Sequence, residues 1–307
     1  MKDENFITII ALSVTVSVTN PALAEKLPLI GNIFELFKED EAYIFDEYSN
    51  YAAGIGATQE SNGVTITITD AVYDKESITI SYTIKSDQSL GDDAFLDGWF
   101  IAEEYEKSYT PGSKMSEKVS ENEYAVVDIM YLMNGKRHEQ VNIKWKGERI
   151  RRIYNEKEQE PIEGNWNFEF TLEALEAETR EFDDLTTKGE WINVTLRKMT
   201  TTPVATNFYL SKRLDKDLPQ WEDEWETAFV DYIVTDDIGN EYNVMYNAGF
   251  GESKFLMLER FSTTVLDEEA TSITITPVVS VYQSVADNEL EIVEDPFELE
   301  PIEVNLE

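Results

Sequence analysis

The chain has 307 residues, room for about two domains. With 42% hydrophobic and 12% aromatic residues it can build packed cores and is not a disordered polymer. It contains no Cys, which excludes disulfides, thiolate zinc sites and cysteine nucleophiles. Its formal net charge of -37 repels nucleic acid and anionic lipid headgroups, so neither is expected as a partner for the bulk of the surface. Carboxylates at this density condense cations loosely without forming a dedicated site; no cofactor and no metal site are expected.

The first element is the uncharged run Phe6 to Val18, FITIIALSVTVSV. As a helix it spans roughly 20 Å, against about 30 Å for a bilayer core. It therefore reads as the outer end of a membrane helix. A second reading is the apolar region of a secretion signal, because Ala22-Leu23-Ala24 has the small-x-small form that signal peptidase cuts. A buried core helix is the third. The membrane readings put everything after Ala24 outside the cytoplasm. Lys2 is the only base before the run, and Asp3 and Glu4 offset it, so the natural chain is expected to begin further upstream.

Residues 25–56 are expected to form a short helical neck. Pro28 suits a helix start, and Ile33, Phe34, Leu36, Phe37, Ile44, Phe45 and Tyr48 recur at helical spacing up to Gly54 and Gly56. From Asn62-Gly63 the period changes to two. Val64, Ile66 and Ile68, then Ile78, Ile80, Tyr82 and Ile84, alternate with Thr and Ser around Tyr73-Asp74-Lys75-Glu76, which predicts a β-hairpin. The same apolar offsets from Gly189 give Ile192, Val194, Val204, Phe208 and Leu210, with Thr201-Thr202-Pro203 at the turn. This points to two tandem β-sandwich domains that open alike. Further strands are expected at 124–130, 141–145, 166–172, 229–234, 255–258 and 273–281, with turns at Asn134-Gly135 and Ile238-Gly239-Asn240. Glu173 to Lys188 is acidic and poor in large apolar residues, and marks the domain boundary. The expected division is 57–175 for the first domain, 176–188 for a linker and 189–307 for the second. In 287–307, Leu290, Ile292, Phe297, Leu299, Ile302, Val304 and Leu306 alternate around Pro296 and Pro301, which predicts edge strands.

Residues 20–37, NPALAEKLPLIGNIFELF, followed by NGVTITITDAVYDKESITISYTI, resemble the domain of unknown function 4179 family of Gram-positive membrane proteins. In that family a membrane helix ends in a small-residue, proline-containing junction. A neck like Pro28-Leu29-Ile30-Gly31-Asn32-Ile33-Phe34 and a hairpin containing Ala71-Val72-Tyr73-Asp74 follow. Gly164 to Phe170 resembles the family's Trp/Phe strand. Thr202-Pro203-Val204-Ala205-Thr206, with Asp236 to Glu241, resembles an immunoglobulin-like companion domain. The resemblance covers nearly the whole chain and implies an extracytoplasmic domain of an anti-sigma-factor-like protein. It carries over no catalytic residue. Several members have a cytoplasmic anti-sigma segment before the helix; here only Met1 to Asn5 precede it, so no residue is assigned to a sigma-factor contact.

His138 is the only histidine, and His138-Glu139 lacks the second His of a zinc-protease helix. No G-x-S-x-G or phosphate loop is present. Among 62 acidic residues some pair falls at glycosidase separation by accident. Asp236-Asp237-Ile238-Gly239-Asn240-Glu241 lacks the alternating ligands of a calcium loop, so a β-turn is the ordinary reading. Two constellations carry more. Lys136, Arg137, Lys144, Lys146, Arg149, Arg151 and Arg152 form one basic island in an acidic chain. The ordinary reading is internal counter-charge. The functional one is an anion site on Lys144, Lys146, Arg149, Arg151 and Arg152 for a phosphate-bearing wall polymer or acidic peptide. Trp221 and Trp225, four apart, are core residues on the ordinary reading and a glycan-stacking platform on the other.

The chain is thus expected to be mostly β: two immunoglobulin-like sandwiches after a membrane or signal segment (1–24) and neck. The leading function is a non-enzymatic extracytoplasmic domain of a membrane-anchored regulator or sensor, contacting the membrane through Phe6–Val18 and an unknown protein or wall ligand. A secreted wall- or glycan-binding module is the rival, and a hydrolase comes third.

Overall fold

The computed structural model describes residues 32–37, 44–105, 109–133, 136–223, 225–247, 249–285 and 289–306. The apolar run 6–18, the Ala22–Ala24 junction and the Asn134-Gly135 turn lie outside the described residues. Among the described residues no helix is long and apolar enough to cross a membrane. The fold is mostly β, with several antiparallel sheets. The described residues divide into two compact units, one drawn from 32–33, 52–109 and 113–175 and the other from 34–51, 110–112 and 176–306.

In the first unit a five-stranded sheet runs in the order β1 (Ala53–Ser61), β2 (Val64–Tyr73), β3 (Ser77–Ser86), β7 (Glu123–Leu132), β6 (Tyr109–Ser120). A second sheet is built on β8 (Gln140–Tyr154). β9 (Lys157–Glu173) lies on one side of it, and β4 (Asp93–Leu96) and β5 (Ile101–Ala102) on the other. One core joins both sheets: Ile66, Ile68, Tyr82 and Val126 from one, Ile143, Trp145, Phe168 and Phe170 from the other. The Trp145 ring meets Tyr82 at 5.1 Å and Phe100 at 5.7 Å, edge to face. The buried Trp166 indole donates from Nε1 to the Val64 carbonyl at 3.0 Å and so pins β9 to β2.

The β2–β3 hairpin follows its alternation. Ile66 pairs with Ile84 and Ile68 with Tyr82; Thr69 is then the extra residue of a bulge. Asp74 makes the turn, because its Oδ1 accepts from the Glu76 and Ser77 N–H groups while Lys75 takes φ 67°. β1 was hidden by its glycines. Gly54 and Gly56 end no helix; Gly56 has φ 68°, and the β1–β2 register shifts between Gly54 and Ala57.

In the second unit β10 (Glu178–Lys188), β11 (Ile192–Thr201), β12 (Thr206–Leu214) and β17 (Leu256–Thr263) pair in that order, with β15 (Val244–Tyr246) and β16 (Phe250–Ser253) on β17. The other sheet centres on β13 (Thr227–Asp236) and β18 (Ser272–Ser284). β14 (Glu241–Tyr242) pairs with β13, and β19 (Leu290–Ile292), β20 (Phe297–Glu298) and β21 (Ile302–Asn305) pair with β18. Both sheets again share one core, with Val194, Phe208, Leu210 and Phe261 meeting Val230, Val234, Ile275 and Val281. The last three strands are short, as Pro296 and Pro301 require.

Three expectations need correction. The stretch 176–188 is not a linker. Its residues 178–188 form β10, which pairs from Glu178↔Thr201 to Lys188↔Asn193 and packs Phe182 and Leu185 on the core. The acids that made it look like a linker belong to an edge strand, where charge discourages further pairing. The neck is no continuous helix either. Its described residues form a 3-10 turn (Ile33–Phe37) and one α-turn, α1 (Tyr48–Tyr51). They are held by an aromatic knot in which Phe34, Phe37 and Tyr48 surround Phe45 at 5.7, 6.3 and 5.0 Å. The repeat, lastly, is a repeat of hairpins and not of register. Ile84 faces Ile66, whereas its counterpart Leu210 faces Leu196 and not Ile192.

Candidate functional site

β8 carries the basic island, and its alternation explains the arrangement. Val141, Ile143, Trp145 and Ile150 point into the core, while Lys144, Lys146, Arg149 and Arg151 point outward. Neighbouring strands and loops meet these charges with acids. Lys144 Nζ lies 2.6 Å from Glu103, whose hydrogen bond raises the lysine pKa. Arg149 pairs with Asp97 at 2.5 Å and Arg151 with Glu158 at 2.9 Å. Arg152 donates from Nε to the Glu160 carbonyl at 3.0 Å. Arg137 pairs with the buried Glu76 at 2.9 Å. Of the five candidates, Lys146 and Arg152 have no ion pair among the described residues, Arg152 being held by a backbone carbonyl. Arg137, Lys144, Arg149 and Arg151 thus meet internal counter-charges; the last three pairs are largely exposed and each contributes little by itself, whereas Arg137 answers a buried carboxylate.

His138 serves the fold through its backbone. Its carbonyl accepts from Tyr73 Oη at 2.7 Å, and its N–H donates to Tyr105 Oη at 3.0 Å. The Asp236–Glu241 segment is a carboxylate-capped turn. Asp236 Oδ1 accepts from the N–H groups of Ile238, Gly239 and Asn240, and Oδ2 from Tyr242 Oη and Asn240 Nδ2. Desolvation pushes this carboxyl up, but the hydrogen bonds from Tyr242 and Asn240 outweigh it and hold the pKa at about 2. Among the described residues no group of three or more His, Asp or Glu is placed to hold a metal ion.

Trp221 and Trp225 do come together, ring centroids 5.2 Å apart, although α2 (Gln220–Asp223) is a single turn and Trp225 lies beyond it. The sequence reading missed Trp191, which meets Trp225 at 4.9 Å and Trp221 at 5.9 Å, and Phe255, 5.6 Å from Trp221. Trp221 is the buried hub; its Nε1 donates to the Asp215 carbonyl at 2.8 Å, and Lys254 lies over its ring. It has no free face for a sugar.

Beside this cluster is a groove of about 460 Å³. Its walls come from the β10–β11 turn, the end of β12 with its following loop, and the β16–β17 turn. Trp191 and Phe255 supply aromatic surface; Glu190, Asn193, Arg213, Asp215, Lys216 and Asp217 supply the polar rim. Backbone bonds fasten the three segments together: Asp215 N to Trp191 O at 2.7 Å and Leu214 N to Phe255 O at 2.9 Å. Asp215 Oδ1 accepts from the Asp217 N–H at 3.0 Å. The side chains of Glu190, Asn193, Arg213, Lys216 and Asp217 make no hydrogen bond or ion pair among the described residues. In this they are unlike the basic island.

The fold is that of a mostly β protein of two units, with this groove in the second. Residues 5–86 match the family described as "Domain of unknown function (DUF4179)", and residues 184–306 match the "Family of unknown function (DUF5643)". The first match runs from the apolar segment to the end of β3, and the second covers the last five residues of β10 and then β11 to β21. The chain is similar to the crystal structure of the conserved domain protein from Bacillus anthracis, with 26% identity and a TM-score of 0.78 over 91% of this chain and all of that one. No curated protein matches it significantly.

Proposed function

We propose that the chain is the non-catalytic extracytoplasmic part of a membrane-anchored regulator or sensor, its two β units being immunoglobulin-like sandwiches. One observation carries this reading. The family match spans residues 5–86, which takes in Phe6–Val18, the neck and the β2–β3 hairpin, so the apolar run and the first hairpin fall within one family match. The companion match at 184–306 supports a second, separate unit. The acid-rich composition suits a face turned to solvent and away from anionic lipid. A Gram-positive envelope is the setting that the resemblance of the neck and hairpin implies.

The test is expression of the whole chain in a Gram-positive host, with fractionation, external protease and N-terminal sequencing. Protein in the membrane pellet that external protease degrades is the expected result. Protein confined to the cytosol refutes it. The aromatic groove favours a second reading, a secreted glycan-binding module; a soluble product beginning at Glu25 would establish that form instead.

A further inference from the structure

We propose that the groove beside Trp191 is a subsite for an uncharged glycan, with Trp191 and Phe255 packing on sugar rings and the rim side chains binding hydroxyl groups. The proposal gives a ligand class to the extracytoplasmic reading above, on which it rests for where the protein would meet a glycan; the groove chemistry stands apart from it. The volume of about 460 Å³ falls within the roughly 300–1,000 Å³ typical of ligand sites. The aromatic surface comes from rings that are partly exposed at the groove, whereas Trp221 behind them is buried. Aromatic faces pack on the C–H faces of pyranose rings, which are apolar and need no charge.

The rim decides the ligand's charge. Glu190, Asp215 and Asp217 oppose a phosphate or uronate, and Arg213 and Lys216 oppose an ammonium group. Three acids interspersed with two bases leave the rim a local net charge of only -1, too little to gather an ion of either sign by itself. The same carboxylate, guanidinium and amide groups are acceptors and donors suited to hydroxyls. Five of the six polar rim side chains are uncommitted, while the bonds that shape the groove are made by backbone. A ligand would therefore meet a site already formed, and binding would not have to order the three segments.

The experiment titrates the purified 307-residue chain, in a non-glycosidic detergent where one is required, with tetramers of N-acetylglucosamine and of β-linked glucose. Tryptophan fluorescence and calorimetry are the readouts. At least one tetramer should bind saturably, with little change between low and high salt. Trp191→Ala should weaken binding by about tenfold or more, which corresponds to about 1.4 kcal/mol. Trp191 also packs on Trp225, so Asn193→Ala and Asp217→Ala, on the rim, serve as variants that keep the fold. Both should weaken binding with melting temperature unchanged, and Lys146→Ala on β8 should not. The proposal is wrong if neither tetramer binds, if binding is equal in all variants, or if it collapses with salt. It is equally wrong if an uncharged extended decapeptide binds where the tetramers do not. Membrane fractionation has no part in these readouts, so failure here is distinct from failure of the anchored reading.

Discussion

Asp128 and Lys114 set up the sharpest test of how the first unit is held together. Asp128 lies on β7 with its carboxyl wholly buried. Lys114, on the neighbouring edge strand β6, reaches its Oδ2 at 2.5 Å and also donates to the Gly98 carbonyl at 2.9 Å, with its ammonium 4.4 Å from the Trp99 ring centroid. Among the described residues Asp128 Oδ1 has no hydrogen-bond partner. Burial pushes the Asp128 carboxyl up to about 6 although Lys114 pulls it down. A folded-state pKa above the ordinary 3.8 means a contribution to stability that is full below pH 3.8 and lost as pH rises through about 6. The shift is about two pKa units, or roughly 3 kcal/mol at most. Lys114→Met removes the partner and leaves a buried carboxylate, at a cost of about 3–5 kcal/mol when that carboxylate is charged. Below the folded pKa the carboxyl protonates, and most of the penalty disappears. Urea unfolding at pH 8 and pH 5, with hydrogen exchange on peptides from 123–132, measures this directly. Lys114→Met should be destabilising by about 3 kcal/mol or more at pH 8 and by much less at pH 5, and Asp128→Asn in the same background should restore most of the loss at pH 8. The reasoning fails if Lys114→Met costs the same at both pH values, or less than about 1 kcal/mol at pH 8.

Gly91→Ala should destabilise the first unit by about 1–3 kcal/mol, because Gly91 has φ 107° and a Cβ there would lie 2.3 Å from the Ile153 carbonyl oxygen; chemical denaturation reads it. Trp166→Phe keeps an aromatic ring but abandons the Val64 carbonyl, and should cost about 1–3 kcal/mol in the same assay. Asp236→Ala should lower the melting temperature at pH 7. The difference should fade as pH falls through about 2, since a depressed carboxyl stabilises above its unfolded pKa and that stability is lost on protonation. Changing Lys144, Lys146, Arg149, Arg151 and Arg152 together to Ser should leave retention on an anionic wall polymer at the wild-type background. Salt-sensitive retention by wild type that the variant loses would restore the anion-site reading.

The sequence by itself determined the elements whose signal is local. Alternation over Val64 to Ile84 specifies β2, β3 and their turn, because a period of two with Asp74 at the corner leaves little else for that segment to do. The same holds for the strand 273–281 and for the short C-terminal strands around Pro296 and Pro301. What the tertiary structure decided is what depends on partners distant in the chain. β10 has the composition of a linker, and only its ladder with β11 makes it a strand. β1 hides behind glycines that its bulge with β2 needs. The basic residues of β8 stand out as a run, yet their counter-charges Glu103, Asp97 and Glu158 arrive from other segments, so the run alone cannot tell a site from a neutralised surface. Trp221 and Trp225 are a visible pair. Trp191 and Phe255 join them from thirty residues away on either side, because β10–β11, β12 and β16–β17 turn at one end of the unit, and that meeting creates the groove. Periodicity along a chain records which face is buried; which faces meet is a property of the sheets.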